Sequence, residues 1–362
     1  MNKHSQYKIV LIGDTLGEGG AERVQARLSF LFENKGVEVH HVIVRNVIEY
    51  EYAGCLFNMG LLKSNKNSIW NRLTRLQALK NYLKKHQFDY IIDFRVKNRF
   101  LQEYLIANYV YKTPYVMSIR HFNTNYYFPK NNYFASIIYR KAYGIIAVSK
   151  ALEDRIIKDY NYKNVTTIYN PIMPRTNNYT LQLDDKFIFG IGRMQNNIKQ
   201  FDHLIKAFKK SEARKYNFKL LLAGDGFFKR ELEELVEKEE LINDVVFLGH
   251  LSDPNPYFKC AYFTALTSKS EGFPNVVLES LVNETPVVAY DCKSGPSEII
   301  NNEINGLLVK DQNINEFVLA INKMILNKEI YSTCKKNALS SVEKFNPEAT
   351  IKNWLQFLKL EV

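Results

Sequence analysis

The chain has 362 residues, 46% hydrophobic and 24% charged, a length that fits two domains and a composition that excludes global disorder. No run of about 18 apolar residues occurs, which excludes a transmembrane helix. The net charge of +11 is unevenly placed: residues 1–174 hold 25 Lys and Arg against 13 Asp and Glu (+12), and residues 175–362 hold 24 against 25 (−1). A basic first half points to an anionic partner, whether nucleic acid, a phospholipid surface or a phosphorylated substrate, although lysine-rich surfaces also serve solubility.

The first apolar run, 9–12, is too short for a secretory segment and stops at Gly13-Asp14, so it reads as a strand. In chain order the strands expected are 8–13, 37–44, 90–94, 115–119, 145–148, 187–192, 220–223, 245–248, 263–267 and 287–290. Among the helices expected between them are 21–34, 68–86, 201–211, 229–240 and 276–283. Short β-rich runs alternating with helices imply parallel sheets covered on both faces. The alternation breaks over 170–185, where Pro171 and Pro174 sit in a polar stretch. This predicts an α/β chain of two Rossmann-like doubly wound domains, 1–172 and 186–346. A linker, 173–185, joins them, and a last helix lies within 347–362. Cys55, Cys260, Cys292 and Cys334 form no Cys-x-x-Cys pair, so neither a zinc site nor a disulfide scaffold is indicated and a reducing cytosol is expected.

Doubly wound sheets bind ligands at the carboxyl ends of their strands. After the first strand, Gly19-Gly20 opens a helix and offers backbone N–H groups to an anion; taken alone, such a turn is more often just a tight strand–helix connection. It is neither a Walker loop nor a Gly-x-Gly-x-x-Gly turn. In the second half Arg193 follows a strand and Lys199 precedes a helix, two cations able to hold a diphosphate as fork and point charge. Gly224-Asp225-Gly226 forms another strand-end turn. In Glu271-Gly272-Phe273-Pro274-Asn275-Val276, Pro274 suits a helix's first turn and the neighbouring amides lie at its positive end. Glu279, four residues after Asn275, can accept from both hydroxyls of a vicinal diol. Singly, Glu271 could merely complement a helix dipole and Glu279 could be a solvated position.

Taken together, these residues resemble glycosyltransferase family 4. The resemblance rests on Gly19-Gly20-Ala21-Glu22-Arg23-Val24, Gly192-Arg193 with Lys199, Gly224-Asp225-Gly226, and the Glu271 to Glu279 element. Val148-Ser149-Lys150, Asn170-Pro171, Gly295-Pro296-Ser297-Glu298 and Asn305-Gly306-Leu307 follow the same order. It spans nearly the whole chain and implies the GT-B fold: two Rossmann-like domains facing a cleft, the final helix crossing back to the first. It further implies a retaining hexosyltransferase that uses a nucleotide sugar, most readily a UDP-sugar, and needs no metal. Accordingly no two aspartates stand two apart. Arg193 and Lys199 would neutralise the departing diphosphate, helped by the Gly19 and Gly20 amides. Glu279 would bind the ribose, and Glu271 with the Gly272, Phe273, Pro274, Asn275 and Val276 backbone would hold the sugar, Gly224 lying at the same edge. His121, after strand 115–119, matches the family's first-domain active-site histidine. Arg193 and Lys199 are six apart, against a commoner family spacing of five.

For the acceptor, residues 52–88 contain no acid, and 63–85 contain seven basic residues. Ile69, Leu73, Leu76, Leu79 or Lys80, and Leu83 recur at helical spacing beside Trp70. This is either a basic amphipathic helix that docks an anionic membrane, with Lys80, Lys84 and Lys85 as docking residues, or an ordinary core-packed helix. An aromatic cluster over 122–143 (Tyr126, Tyr127, Phe128, Tyr133, Phe134, Tyr139) suits sugar stacking or a bilayer interface equally. A lipid-linked saccharide acceptor and a place on the inner face of the cell membrane would explain both features. The alternatives are a GT-B nucleotide-sugar epimerase and a transferase with a soluble acceptor. A nucleic-acid-binding protein is disfavoured, since no recognition motif occurs and the second half is neutral.

Overall fold

The computed structural model describes residues 7–17, 19–64, 69–97, 99–172 and 186–361; the expected linker, 173–185, lies outside them. The chain divides into two compact units, 1–171 with 347–362, and 172–346.

The first unit is built on a seven-stranded sheet. Its strands are β1 (Lys8–Gly13), β2 (Glu38–Ile43), β3 (Cys55–Asn58), β4 (Tyr90–Asp93), β5 (Tyr115–Ile119), β6 (Gly144–Ala147) and β7 (Val165–Thr167). They pair in the order β3-β2-β1-β4-β5-β6-β7, every pair parallel. Ile9, Val10 and Leu11 on β1 are fully buried, as expected of a strand covered on both faces. The order reverses between β1 and β4, which opens a crevice at the carboxyl ends of those two strands.

The last helix, Pro347–Leu358, belongs to this first unit. Trp354 packs edge-on against Phe32 of the Gly20–Asn34 helix, with ring centroids 6.1 Å apart. Phe357 meets Tyr143 at 5.7 Å, and Lys35 pairs with Glu348 at 2.8 Å. Trp354 and Leu358 are buried in the cluster that holds Ile9, Leu11, Val24 and Val39, so the chain's end completes the first unit's core.

The second unit carries a six-stranded parallel sheet of β8 (Lys186–Ile191), β9 (Phe218–Ala223), β10 (Val245–Gly249), β11 (Phe263–Leu266), β12 (Val287–Asp291) and β13 (Gly306–Lys310). Its order is β10-β9-β8-β11-β12-β13, so β8 and β11 flank the reversal point. One face packs Leu204, Ile205, Phe208 and Phe317; the other packs Phe187, Phe189 and Phe258. All ten expected strands are present with ends shifted by no more than two residues; β3, β7 and β13 are additional.

Candidate active site

In the second unit the expected residues gather at the reversal point. Gly192 and Arg193 leave the end of β8, and Ser270 and Glu271 follow β11. Lys199 Nζ donates to Glu271 Oε1 at 2.6 Å, both side chains being largely buried. The six-residue spacing from Arg193 is absorbed in a turn: the Asn196 side chain accepts from the Ile198 amide, and Lys269 N donates to Ile198 O. The lysine stem then lies along Gly192, whose missing Cβ would stand 2.9 Å from Lys199 Cγ and Cε. Lys199 is anchored from below by Thr267, whose hydroxyl lies 3.0 Å from Lys199 O and 2.9 Å from Gln200 O.

Gly224 is required by a close approach. Its φ is +131°, and a Cβ there would stand 1.9 Å from Gly192 O, so only glycine lets the turn after β9 lie against the turn after β8. Met194 N donates to Asp225 O and Phe228 N to Met194 O, which ties these two turns together.

The Asn275–Val282 helix begins at Pro274. Gly272, Phe273 and Pro274 are buried; the Phe273 ring packs against Phe345 at 5.4 Å, and Ser294 Oγ donates to Gly272 O. Gly295, at φ +97°, seats Pro274, whose Cδ would be 2.4 Å from a Cβ there. Asn275 and Val276 at this end of the helix, and Glu279 one turn further along, are each partly exposed. The Glu271 to Glu279 element is thus held rigidly from the β12 side. Cys292, just past β12, is buried; burial and the Glu271 charge push its thiol up to about 12, so it stays protonated.

In the first unit, Gly19 caps the Gly20–Asn34 helix in extended conformation, and Arg23 N donates to Gly19 O. His121 stands two residues beyond β5; Asn123 N donates to its Nδ1 at 2.9 Å, which in the neutral ring puts the proton on Nε2. Tyr126 meets the imidazole edge-on at 5.0 Å. Beside it, Arg120 donates to Ser118 Oγ and to Asn170 Oδ1 and lies over the Phe94 ring. Gly19, Gly20 and His121 thus belong to this unit, and Arg193, Lys199, Gly224, Glu271 and Glu279 to the other.

Sequence reasoning missed three supports. Thr267 and Ser294 carry no signal beyond being polar at strand ends. The third is a buried ion cluster behind β4: Arg95 bonds Asp93 at 2.8 Å and Glu103 at 3.1 Å, and Lys97 Nζ lies 3.4 Å from Asp93. Burial raises the Asp93 carboxyl, but Arg95 and Lys97 outweigh it and hold it at about 2. Lys97 N donates to Tyr126 O at 2.6 Å, so this cluster braces the loop that carries His121.

The expected docking helix is Ile69–His86, and it settles neither simple alternative. Leu79 and Leu83 are buried, and Tyr82 stacks on Phe57 at 4.4 Å and bonds His40. Ile69, Trp70 and Leu73 are 73%, 79% and 49% exposed. Helical geometry puts Ile69, Leu73, Lys80 and Lys84 along one outward face, and Lys80, Lys84 and Lys85 are all exposed. The helix is therefore core-packed on one face and both apolar and basic on the other.

Comparison with known proteins adds the family. The family model described as Glycosyltransferase Family 4 matches residues 18–175, and that described as Glycosyl transferases group 1 matches 176–341. One relative is the N-acetylgalactosamine-N,N'-diacetylbacillosaminyl-diphospho-undecaprenol 4-alpha-N-acetylgalactosaminyltransferase of Campylobacter jejuni, 30% identical over 95% of this chain and 97% of its own. Another is the amylovoran biosynthesis glycosyltransferase AmsD of Erwinia amylovora, 24% identical over 97% and 99%. Among solved structures, Anabaena HepE in complex with UDP-glucose superposes with a TM-score of 0.79 at 20% identity, over 97% of this chain and 99% of that one. Staphylococcus aureus TarM gives 0.80 at 15% identity, over 99% and 100%.

Two Rossmann-like units of this topology, matched along their length by such relatives, define a glycosyltransferase of the GT-B class. The chain belongs to glycosyltransferase family 4, and it is a hexosyltransferase.

Proposed function

We propose that this enzyme moves a hexose or N-acetylhexosamine from a UDP-sugar, with retention of configuration and without a metal, to a lipid-linked glycan in bacterial surface-polysaccharide assembly. The observation that carries the donor half is the Lys199–Glu271 pair beside Arg193 and the Asn275–Val282 helix start, all at the second sheet's reversal point. A lysine ammonium has three donors; Glu271 takes one, which aims Lys199 and leaves donors for diphosphate oxygens. In the step, the acceptor hydroxyl attacks the anomeric carbon as the bond to the diphosphate oxygen breaks. The leaving phosphate takes the electron pair and the acceptor's proton. Arg193 and Lys199 neutralise that charge, Glu271 holds sugar hydroxyls, and Glu279 holds the ribose diol.

The acceptor half rests on two supports. The Campylobacter relative is named for an undecaprenol-diphosphate acceptor and the Erwinia one for amylovoran synthesis. In this chain, the outward face of Ile69–His86 combines apolar residues with Lys80 and Lys84, as a peripheral protein on the inner face of an anionic membrane would require. No helix among the described residues is long and apolar enough to cross a membrane.

The test is kinetic. Arg193→Ala and Lys199→Ala should each lower kcat by about 100-fold or more while changing KM for the donor far less, because the charge they meet develops in the transition state. Wild-type turnover in both variants would refute the assignment.

A further inference from the structure

Beside the docking helix, the first unit carries a second exposed feature. Tyr109, Tyr104, Phe100, Phe134 and Tyr133 form a continuous string of rings, with successive centroids 6.5, 6.0, 4.9 and 5.7 Å apart. Tyr133, Tyr109 and Phe134 are 69%, 57% and 42% exposed, and Leu101, next to Phe100 in sequence, is 69% exposed. Single exposed apolar residues are ordinary, but a contiguous patch marks an interaction surface.

The charge around it is one-sided. From residue 94 to residue 152 the only acid is Glu103, and it is buried against Arg95. Arg99, Lys112, Lys130, Arg140 and Lys141 are all exposed there. A second copy of the chain meeting this face through the same face would bring like charges together. The string also neighbours that helix, because Ile69–His86 packs against the π-helical turn Ile106–Val110 that bears Tyr109.

We propose that this aromatic string is a second bilayer contact, lying in the interface of an anionic membrane beside the Ile69–His86 helix. Tyrosine rings with an apolar body and a polar tip suit the headgroup level, and the acid-free cationic margin suits anionic lipid. The inference rests on the reading that the acceptor is membrane-borne, and it extends docking from one helix to a row of neighbouring elements.

The experiment uses full-length protein and vesicles of phosphatidylglycerol mixed with phosphatidylcholine, with and without brominated acyl chains that quench indoles. The chain has two tryptophans; Trp354 is buried and serves as an internal reference, while Trp70 is exposed and reports the docking helix. A Trp70→Phe/Tyr133→Trp variant moves the reporter to the string. Its indole should be quenched by brominated lipid on anionic vesicles, and raised salt should reverse this. Tyr109→Ser/Tyr133→Ser/Phe134→Ser should lower the vesicle-bound fraction at least about fivefold with UDP affinity unchanged. If Trp70 of the wild type is quenched while the Y133W indole is not, and the triple variant sediments normally, the string is not a bilayer contact and the docking helix stands alone. If neither indole is quenched and Lys80→Glu/Lys84→Glu/Lys85→Glu behaves as wild type, the membrane reading itself falls. Binding to a polynucleotide but not to vesicles would overturn the choice of partner.

Discussion

Lys199 and Glu271 hold each other at 2.6 Å with little exposure, and groups in direct contact do not act independently. Lys199→Ala leaves Glu271 without its cation, and Glu271→Ala leaves Lys199 unaimed. In a double-mutant cycle on kcat/KM, the two losses should therefore be non-additive by about 0.5–3 kcal/mol; strict additivity would mean that the pair plays no joint part with the donor. Glu279 is separable, one turn further along the helix. Glu279→Ala should cost about 1.5–3 kcal/mol of UDP affinity, the worth of hydrogen bonds to a charged group, as calorimetric titration with free UDP would measure. Unchanged affinity would remove the ribose role. Arg193, Lys199, Glu271 and Glu279 could be picked out in the sequence only together, through their resemblance to the family pattern, because a charged residue near a strand or helix end is by itself ordinary. Thr267 and Ser294 could not, because their work is to fix the backbone of Lys199 and Gly272, which only the fold brings within reach.

Among the elements, β2 carries a pH-dependent liability. His41 is fully buried, with Gln25 Nε2 donating to its Nδ1 and its Nε2 donating to Ala53 O. Burial disfavours the cation and pushes its pKa down from 6.5 to about 4. A depressed folded pKa means that the unfolded chain takes up the proton first as pH falls. The stabilisation is therefore complete above about pH 6.5, is lost progressively towards pH 4, and amounts to about 3 kcal/mol. Denaturant unfolding across that range should show this slope in the wild type, and His41→Asn should flatten it; an equal slope in both would place the titrating group elsewhere. At this scale the sequence was most informative for strands buried on both faces, whose apolar runs announce themselves. β3 escaped because it is a half-exposed edge strand, and β7 because three residues make no pattern. The helix Ile69–His86 defied a single reading because its first-turn apolar residues face outward while Leu79 and Leu83 face the core.

For the molecule as a whole, the charge surplus of the first half finds a structural home. Its cations line the outward face of Ile69–His86 and the margin of the aromatic string, while much of its acid is spent in buried or local pairs such as Asp93 and Glu103 with Arg95. In the near-neutral second half, the proposed donor site relies on two cations, Arg193 just after β8 and Lys199 just before the next helix. Charge placement thus agrees with the proposed division of a membrane-borne acceptor to the first unit and a nucleotide donor to the second. The central claim is metal-free, retaining transfer from a UDP-sugar to a lipid-linked glycan. Its most direct test is to incubate the purified enzyme with a panel of UDP-sugars and a polyprenyl-diphosphate saccharide in excess chelator, and to read the new anomeric linkage by NMR. The account predicts one donor that gives an α-linked product from an α-linked UDP-sugar at a rate the chelator does not change. Inverted product, activity abolished by the chelator, or conversion of the UDP-sugar without any acceptor would contradict it.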